Sequence, residues 1–221
     1  MGPEARWLLF YAVIVASMAS VVWFFQIRRQ MIARMRAVVG ILEDVLRPRD
    51  KTYTLLGYLV GFRAVYELPY RWSRRAWILY TMPPGHVFFY LPVILLRREK
   101  DRLELTFRVN TPLPGEAHIY HPHDRHVARL VRRDTAGREG RLTRGEVVEA
   151  GKRFTALYSG SEALEKARQL LRGLLEAGAD VRRVTLSDRD WALHVSIVPS
   201  VATLRRTLEV LKRYGEKLAG G

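Results

Sequence analysis

The chain opens on a long apolar run, alternates between apolar and polar positions through its middle, and closes on two amphipathic helices separated by strands. From Trp7 to Phe25 the stretch WLLFYAVIVASMASVVWFF holds nineteen residues without a charge. A helix over this run spans about 28 Å, close to the hydrocarbon thickness of a bilayer. Trp7, Tyr11, Trp23 and Phe24 lie toward its ends, where aromatic belts sit. A cleaved signal peptide is the alternative. The segment ASMAS offers small residues for cleavage, but five apolar residues follow it, and the stretch before the run carries only Arg6, offset by Glu4. Beyond the run, Ile27, Met31, Met35, Val38, Leu42 and Val45 continue one apolar face at helical spacing, and Pro48 ends it near Leu46. The pattern predicts one long helix that leaves the membrane and continues.

The next segments read as an α+β domain. TYTLLGYLVGFRAVYEL predicts a hairpin bent at Gly57 and Gly61, and RWSRRAWILYTM a strand stopped by Pro83-Pro84-Gly85. HVFFYLPVILL is too short to span a bilayer; its length favours a core helix over an element dipping into the membrane interface. DRLELTFRVN and AHIYH predict strands, and DRHVARLVRR a polar helix. Residues 134–151, rich in Gly and charge, read as a loop with at most short strands. RFTALYSG is a strand. Ser159 and Glu162 make a capping box for a helix with Leu164, Ala167, Leu171 and Leu174 inward, ending at Gly178. VRRVTLS and WALHVSIVP are strands about a turn at Asp188–Asp190. Ser200 caps a final helix with Leu204, Leu208, Leu211 and Leu218 inward. The order strand–helix–strand–strand–helix is thus read twice. The predicted organisation is a transmembrane anchor over 1–26 (span 7–25), a helical connector over 27–50, and two α+β halves over 51–151 and 152–221.

Charge sharpens this picture. The 221 residues carry a net charge of +15, and none of the excess lies in residues 1–26. Arg28, Arg29, Arg34 and Arg36 directly follow the span, so the positive-inside rule places the C-terminal side in the cytoplasm and the N-terminus outside. A basic domain beside a membrane points to polyanionic partners: anionic lipid headgroups, or ribosomal RNA. Arg71, Trp72, Arg74, Arg75 and Trp77 interleave cations with aromatics, a pattern that suits RNA stacking and phosphate contact and equally a lipid headgroup surface. Polyanion binding is assigned to Arg28, Arg29, Arg34, Arg36, Arg71, Arg74 and Arg75. Ala12, Ala16 and Ser20, at four-residue spacing in the span, offer a small-residue stripe for another transmembrane helix.

Catalytic signals are sparse. The chain has no cysteine, which excludes disulfides, Cys-ligated zinc and Cys nucleophiles. His118, His121, His123, Asp124 and His126 lie within nine residues, but their spacing matches no metal motif. On a strand His118 and His121 point to opposite faces, so only His121, His123 and His126 could converge on a metal. No nucleophile elbow, P-loop or dinucleotide fingerprint is present. The reading is a non-enzyme with no cofactor.

The C-terminal stretch VRRVTLSDRDWALHVSIVPSVATLRRTLEVLKRYGEKL resembles the end of the cytosolic domain of calumin, the coiled-coil-domain-containing protein 47 family. The positions that carry it are Val181, Val184, Leu186, Ser187, Asp188, Val198 and Pro199. PVILLRREKDRLELTFRVN is similar to that family's leucine-rich helix and following strand. The family's acidic lumenal region and its basic coiled-coil tail have no counterpart in this sequence, so contacts made by that tail are not carried over. A short form of this kind fits a prokaryotic, archaeal relative. The resemblance implies a single-pass chaperone or scaffold for multipass membrane-protein insertion, beside the ribosome and the Sec translocon. Two alternatives stand beside it: a membrane-anchored structural protein binding anionic lipid or RNA, and a metal-dependent enzyme using the segment from His118 to His126.

Overall fold

A computed structural model describes residues 2–57, 59–97 and 100–220. Its first element, α1 (Pro3–Leu46), is one unbroken helix of 44 residues. Its most apolar window has no buried residue, and Leu8, Val15 and Met18 are exposed, which makes this half a candidate membrane span. The other half belongs to the core: Met31, Val38, Leu42 and Val45 are buried, with Ile27 and Met35 packed against the cluster. All six are positions of the apolar face read from the sequence. The helix ends as Pro48 requires, with Arg47 in the left-handed region at φ 45° and its N–H bonded to the Glu43 carbonyl.

Nine strands then form one antiparallel sheet: β1 (Asp50–Leu55), β2 (Gly61–Glu67), β3 (Ser73–Thr81), β4 (Arg102–Val109), β5 (Ala117–Tyr120), β6 (Thr143–Glu149), β7 (Lys152–Tyr158), β8 (Asp180–Ser187) and β9 (Ala192–Val198). Their order across the sheet is β1-β2-β3-β4-β9-β8-β5-β7-β6. Among the described residues four shorter helices accompany them: α2 (Leu91–Arg97) after a 3-10 turn at Phe88–Tyr90, α3 (Arg125–Asp134), α4 (Ser161–Glu176) and, after the last strand, α5 (Val201–Gly220), with a second 3-10 turn at Glu139–Arg141. One sheet face carries Ala64, Tyr66, Ile78, Leu105, Phe107, Leu186 and Val195 into a single core with α4, α5 and the second half of α1. The other face is polar, and α3 covers only its β5 end, through Val127 and Val131. Alternation along each strand sorts the two faces, as expected of an antiparallel sheet with one buried side.

The two α+β halves share this one sheet. Within them β3-α2-β4-β5-α3 and β7-α4-β8-β9-α5 run in the same order, while β1, β2 and β6 lie outside that correspondence. Their pairings differ, because β8 and β9 form a hairpin that inserts between β4 and β5.

Three expectations need correction. Residues 134–151 contain a full seven-residue edge strand, β6. Its buried Glu149 accepts from Arg168 at 2.5 Å and Arg172 at 3.2 Å, which ties the strand to α4. Ser159 does not cap α4; Gly160 holds the N-cap position, and Ser159 Oγ instead accepts the Glu116 N–H at 2.8 Å, closing the start of β5 onto the end of β7. The far end of α4 follows expectation: Gly178 at φ 81° supports paired bonds from Ala179 N to Leu174 O and from Gly178 N to Leu175 O. The third correction concerns α2. None of the described side chains from Val87 to Leu96 is buried, and Leu95 and Leu96 are 75% and 86% exposed. The segment is a helix, but it is not in the core.

Candidate membrane and polyanion interface

The basic residues assigned from the sequence fall into two sets at different heights along α1. Arg28, Arg29, Arg34 and Arg36 sit within three turns of Phe25, where the charge-free stretch ends. Arg29, Arg34 and Arg36 are exposed and Arg28 is half-buried. Arg34 reaches within 4.0 Å of Asp101, which also accepts the Tyr80 hydroxyl at 2.8 Å. Burial first, and then the Asp101 charge, push the Tyr80 hydroxyl pKa well above its ordinary value. Ala12, Ala16 and Ser20 lie along the candidate span, where no residue of the most apolar window is buried by the rest of the chain.

Arg71, Arg74 and Arg75 are brought together at the opposite end of α1. Tyr70 OH donates to the last carbonyls of that helix, at 2.8 Å to Leu46 and 3.3 Å to Val45. Beside it opens a cleft of about 670 Å³ lined by Arg49, Arg71, Arg74, Arg75 and Arg108, with Glu67 as its one carboxylate. Arg75 lies 3.5 Å from Glu67 in an exposed pair, and Asn110 Nδ2 donates to the Arg71 carbonyl at 2.9 Å. A bulge creates this exposure. The β3–β4 register shifts between Ser73 and Arg75, so Arg74 and Arg75 are both exposed where strict alternation would turn one inward. Arg49 and Arg108, which complete the cleft, were not singled out in the sequence; they lie far from Arg71–Arg75 along the chain.

The expected interleaving of aromatics holds only in part. Trp72 is 1% exposed and offers no ring to a nucleic acid. It stacks on Tyr70 with ring centroids 5.8 Å apart and an interplanar angle of 4°, and meets Phe107 at 5.2 Å. Trp77, 37% exposed, stands on the polar sheet face opposite Val65 and Thr106 and can receive a base.

The histidines do not assemble a metal centre. His118 is buried on the sheet, whereas His121 lies past the end of β5 against Phe154 and His123. Burial first, then Arg182 and His123, lower the His121 pKa. Asp124 caps α3 by accepting Val127 N at 3.1 Å and pairs with Arg102 at 3.2 Å. His123 and His126 are exposed in an open basic cleft with Arg125, Arg129 and Arg182. Among the described residues no group of three His, Cys, Asp or Glu is placed to hold a metal.

Sequence reading missed a polar cavity of about 350 Å³ on the open sheet face. One row across the sheet places Thr106, His194, Thr185 and His118 on neighbouring strands. His118 bonds Glu116 at 2.7 Å and Thr185 at 3.1 Å, and Arg183 Nη2 reaches its Nδ1 at 3.3 Å. Arginine only donates, so Nδ1 accepts and Nε2 donates to Glu116. Arg183 also holds Asp134 at 2.8 Å, and Arg138 holds Glu116 at 2.5 Å. Burial raises the Glu116 pKa, but His118 and Arg138 outweigh it and the net shift is downward. Arg133, Arg138 and Arg183 face Glu104, Glu116, Asp134 and Asp190, so the cavity has no cationic excess for a polyanion. It is a closed hydrogen-bond network that orders the sheet.

His194 gives this network a pH signature. Burial first, then Arg183 and His118, lower its pKa from 6.5 to about 3. Between those values the unfolded chain binds a proton that the folded one does not. The stabilisation is complete above pH 6.5 and is lost as the pH falls toward 3, by up to about 1.4 kcal/mol per pH unit. Thermal unfolding of the full chain in detergent is expected to show Tm falling from pH 6.5 to pH 5, and His194→Gln to make that limb shallower, with His121 supplying what remains. An unchanged limb in the variant refutes the assignment.

A scan of protein-family models and a search of curated proteins find no match to this chain.

Proposed function

We propose that the protein is a non-enzymatic, single-pass scaffold that holds a basic domain over the cytosolic membrane surface and engages the ribosome where multipass membrane proteins insert. In this reading α1 crosses the cell membrane with its N-terminus outside. The observation that carries it is the height of the arginine cleft. Twenty-one helical residues separate Phe25 from Leu46, a rise of about 30 Å. Headgroups of the membrane that α1 crosses act over a screening length of about 8–10 Å and do not reach that far. A cleft with five arginines at this distance fits phosphates on a body in the aqueous phase, and ribosomal RNA is such a body. Arg28 and Arg29, near the end of the span, are left to serve anionic lipid.

The remainder of the proposal rests on the likeness to calumin in the last two strands and last helix. It makes the Sec translocon, or a small membrane protein bound on Ala12, Ala16 and Ser20, the lateral partner. Cosedimentation of the full chain in nanodiscs with purified ribosomes tests the first part. Binding is expected at low salt and is expected to weaken steeply toward moderate salt. Crosslinking in native membranes with mass spectrometry tests the second, with ribosomal proteins and the Sec channel as the expected partners. Binding to anionic vesicles without either partner would leave the lipid-binding alternative in its place.

A further inference from the structure

We infer that the segment from Pro83 to Leu96 is a second membrane-seating element, whose apolar side chains enter the headgroup–acyl boundary of the leaflet from which α1 emerges. This rests on the reading of α1 as a membrane span.

Position is the first argument. Trp23 Nε1 donates to the Gly85 carbonyl at 3.1 Å, and the Trp23 ring meets Phe88 edge-on at 6.3 Å. Phe24 meets His86 at 6.2 Å. The start of the segment is therefore pinned at the level of residues 23–24, and Leu91 and Ile94 of α2 line a crevice with Ile27, Met31 and Arg34 just above it, where the charge-free run gives way to Arg28 and Arg29. That level is the membrane interface, where Trp and Tyr gather.

Exposure is the second. Every residue of α2 before Arg97 is apolar, and Leu95 and Leu96 are among the most exposed large apolar side chains of the domain. Val87 is exposed as well. Leaving one such leucine in water forgoes about 1.5–3 kcal/mol of burial. Val87, Leu95 and Leu96, on a segment packed beside the candidate span, are left open to lipid.

Depth is the third. Phe88 and the span residues Val15, Met18, Ala19 and Val22 line an apolar groove of about 510 Å³. Val15 lies eight residues below Trp23, about 12 Å along the helix, which exceeds the 5–10 Å to which interfacial helices sink. The groove thus runs from the interface into the acyl region and suits lipid chains. A single helix leaves a domain free to turn about its axis; two contacts at one level fix its rotation, and with it the direction in which the arginine cleft faces.

The absence of cysteine gives a clean test. Val15→Cys, Leu96→Cys and Asp50→Cys each introduce one exposed label site, Asp50 opening β1 four residues past the membrane-distal end of α1. Each full-length variant is labelled with an environment-sensitive dye and reconstituted into phosphatidylcholine–phosphatidylglycerol vesicles. The dye at residue 96 is expected to emit to the blue of the dye at residue 50 and to be quenched by lipid spin-labelled near the headgroup. The dye at residue 15 is expected to be quenched by lipid spin-labelled deep in the chains. If residue 15 is quenched and residue 96 behaves like residue 50, the inference fails while the span stands. If residue 96 is shielded from both aqueous iodide and spin-labelled lipid, a protein covers it and the lipid assignment fails. If residue 15 is not quenched, the span reading fails and takes the inference with it.

Discussion

Replacing Arg71, Arg74 and Arg75 together by Gln is expected to abolish most salt-sensitive ribosome binding, with a loss of about 10²–10³ in affinity at low salt. Each guanidinium that neutralises a phosphate releases counterions, and the log–log salt dependence carries about 0.7–0.9 per contact. Losing three contacts should lower that slope by about 2 to 3. Folding is expected to survive, because all three side chains are exposed and the ion pair removed among the described residues, Arg75 with Glu67, is a surface pair worth at most about 1 kcal/mol. The control is an equal change of net charge elsewhere. Arg205, Arg206 and Arg213 are exposed on α5, and their triple Gln variant should leave the slope nearly unchanged. If both triples lower it alike, net charge and not the cleft drives binding, and the proposal loses its central support. The readout is cosedimentation of full chain in nanodiscs across a salt series.

The cleft also marks how far the sequence could be read. Helical spacing identified the buried face of α1 position by position, because one helix carries both the pattern and its consequence. The hairpin β1–β2 and the strands β3, β4, β7, β8 and β9 were legible from alternation and turn residues for the same reason. What depended on partners distant in the chain was not. The bulge at Ser73–Arg75 exists only against β4, so the inward turn of Trp72 and the exposure of both Arg74 and Arg75 have no local signal. The cavity around His118 and His194 draws on strands β4, β5, β8 and β9, which only the sheet order brings together. The sequence of β6 reads as a loop with at most short strands because an edge strand tolerates Gly and charge. In α2 the composition was read correctly and the environment wrongly: lipid and protein core select the same side chains.

Gly215→Ala is expected to destabilise the domain by about 3 kcal/mol, a fall in Tm of about 6–12 °C for a chain of this size. A methyl group added at Gly215 would lie 2.4 Å from Cδ2 and Cε2 of the Trp72 ring. That ring cannot step aside, since Tyr70 covers one face and Phe107 abuts it. Either α5 lifts from the sheet or the indole leaves its stack. Both outcomes reach the proposed binding cleft, because Trp72 lies between Arg71 and Arg74 in the chain and Tyr70, which lines the cleft, also carries Lys212 of α5 over its ring at 5.1 Å. The contact can be isolated with a double-mutant cycle. Trp72→Ala removes the atoms that clash and alone should cost about 3–5 kcal/mol through the space it vacates. With both changes, the loss should be smaller than the sum of the two single losses by at least about 1 kcal/mol, the signature of a steric pair. Strict additivity in thermal unfolding would mean that Gly215 is required for the helix itself and not for the indole. Coupling between the two predicts that Gly215→Ala also weakens ribosome binding at temperatures where the domain remains folded, although residue 215 touches no phosphate.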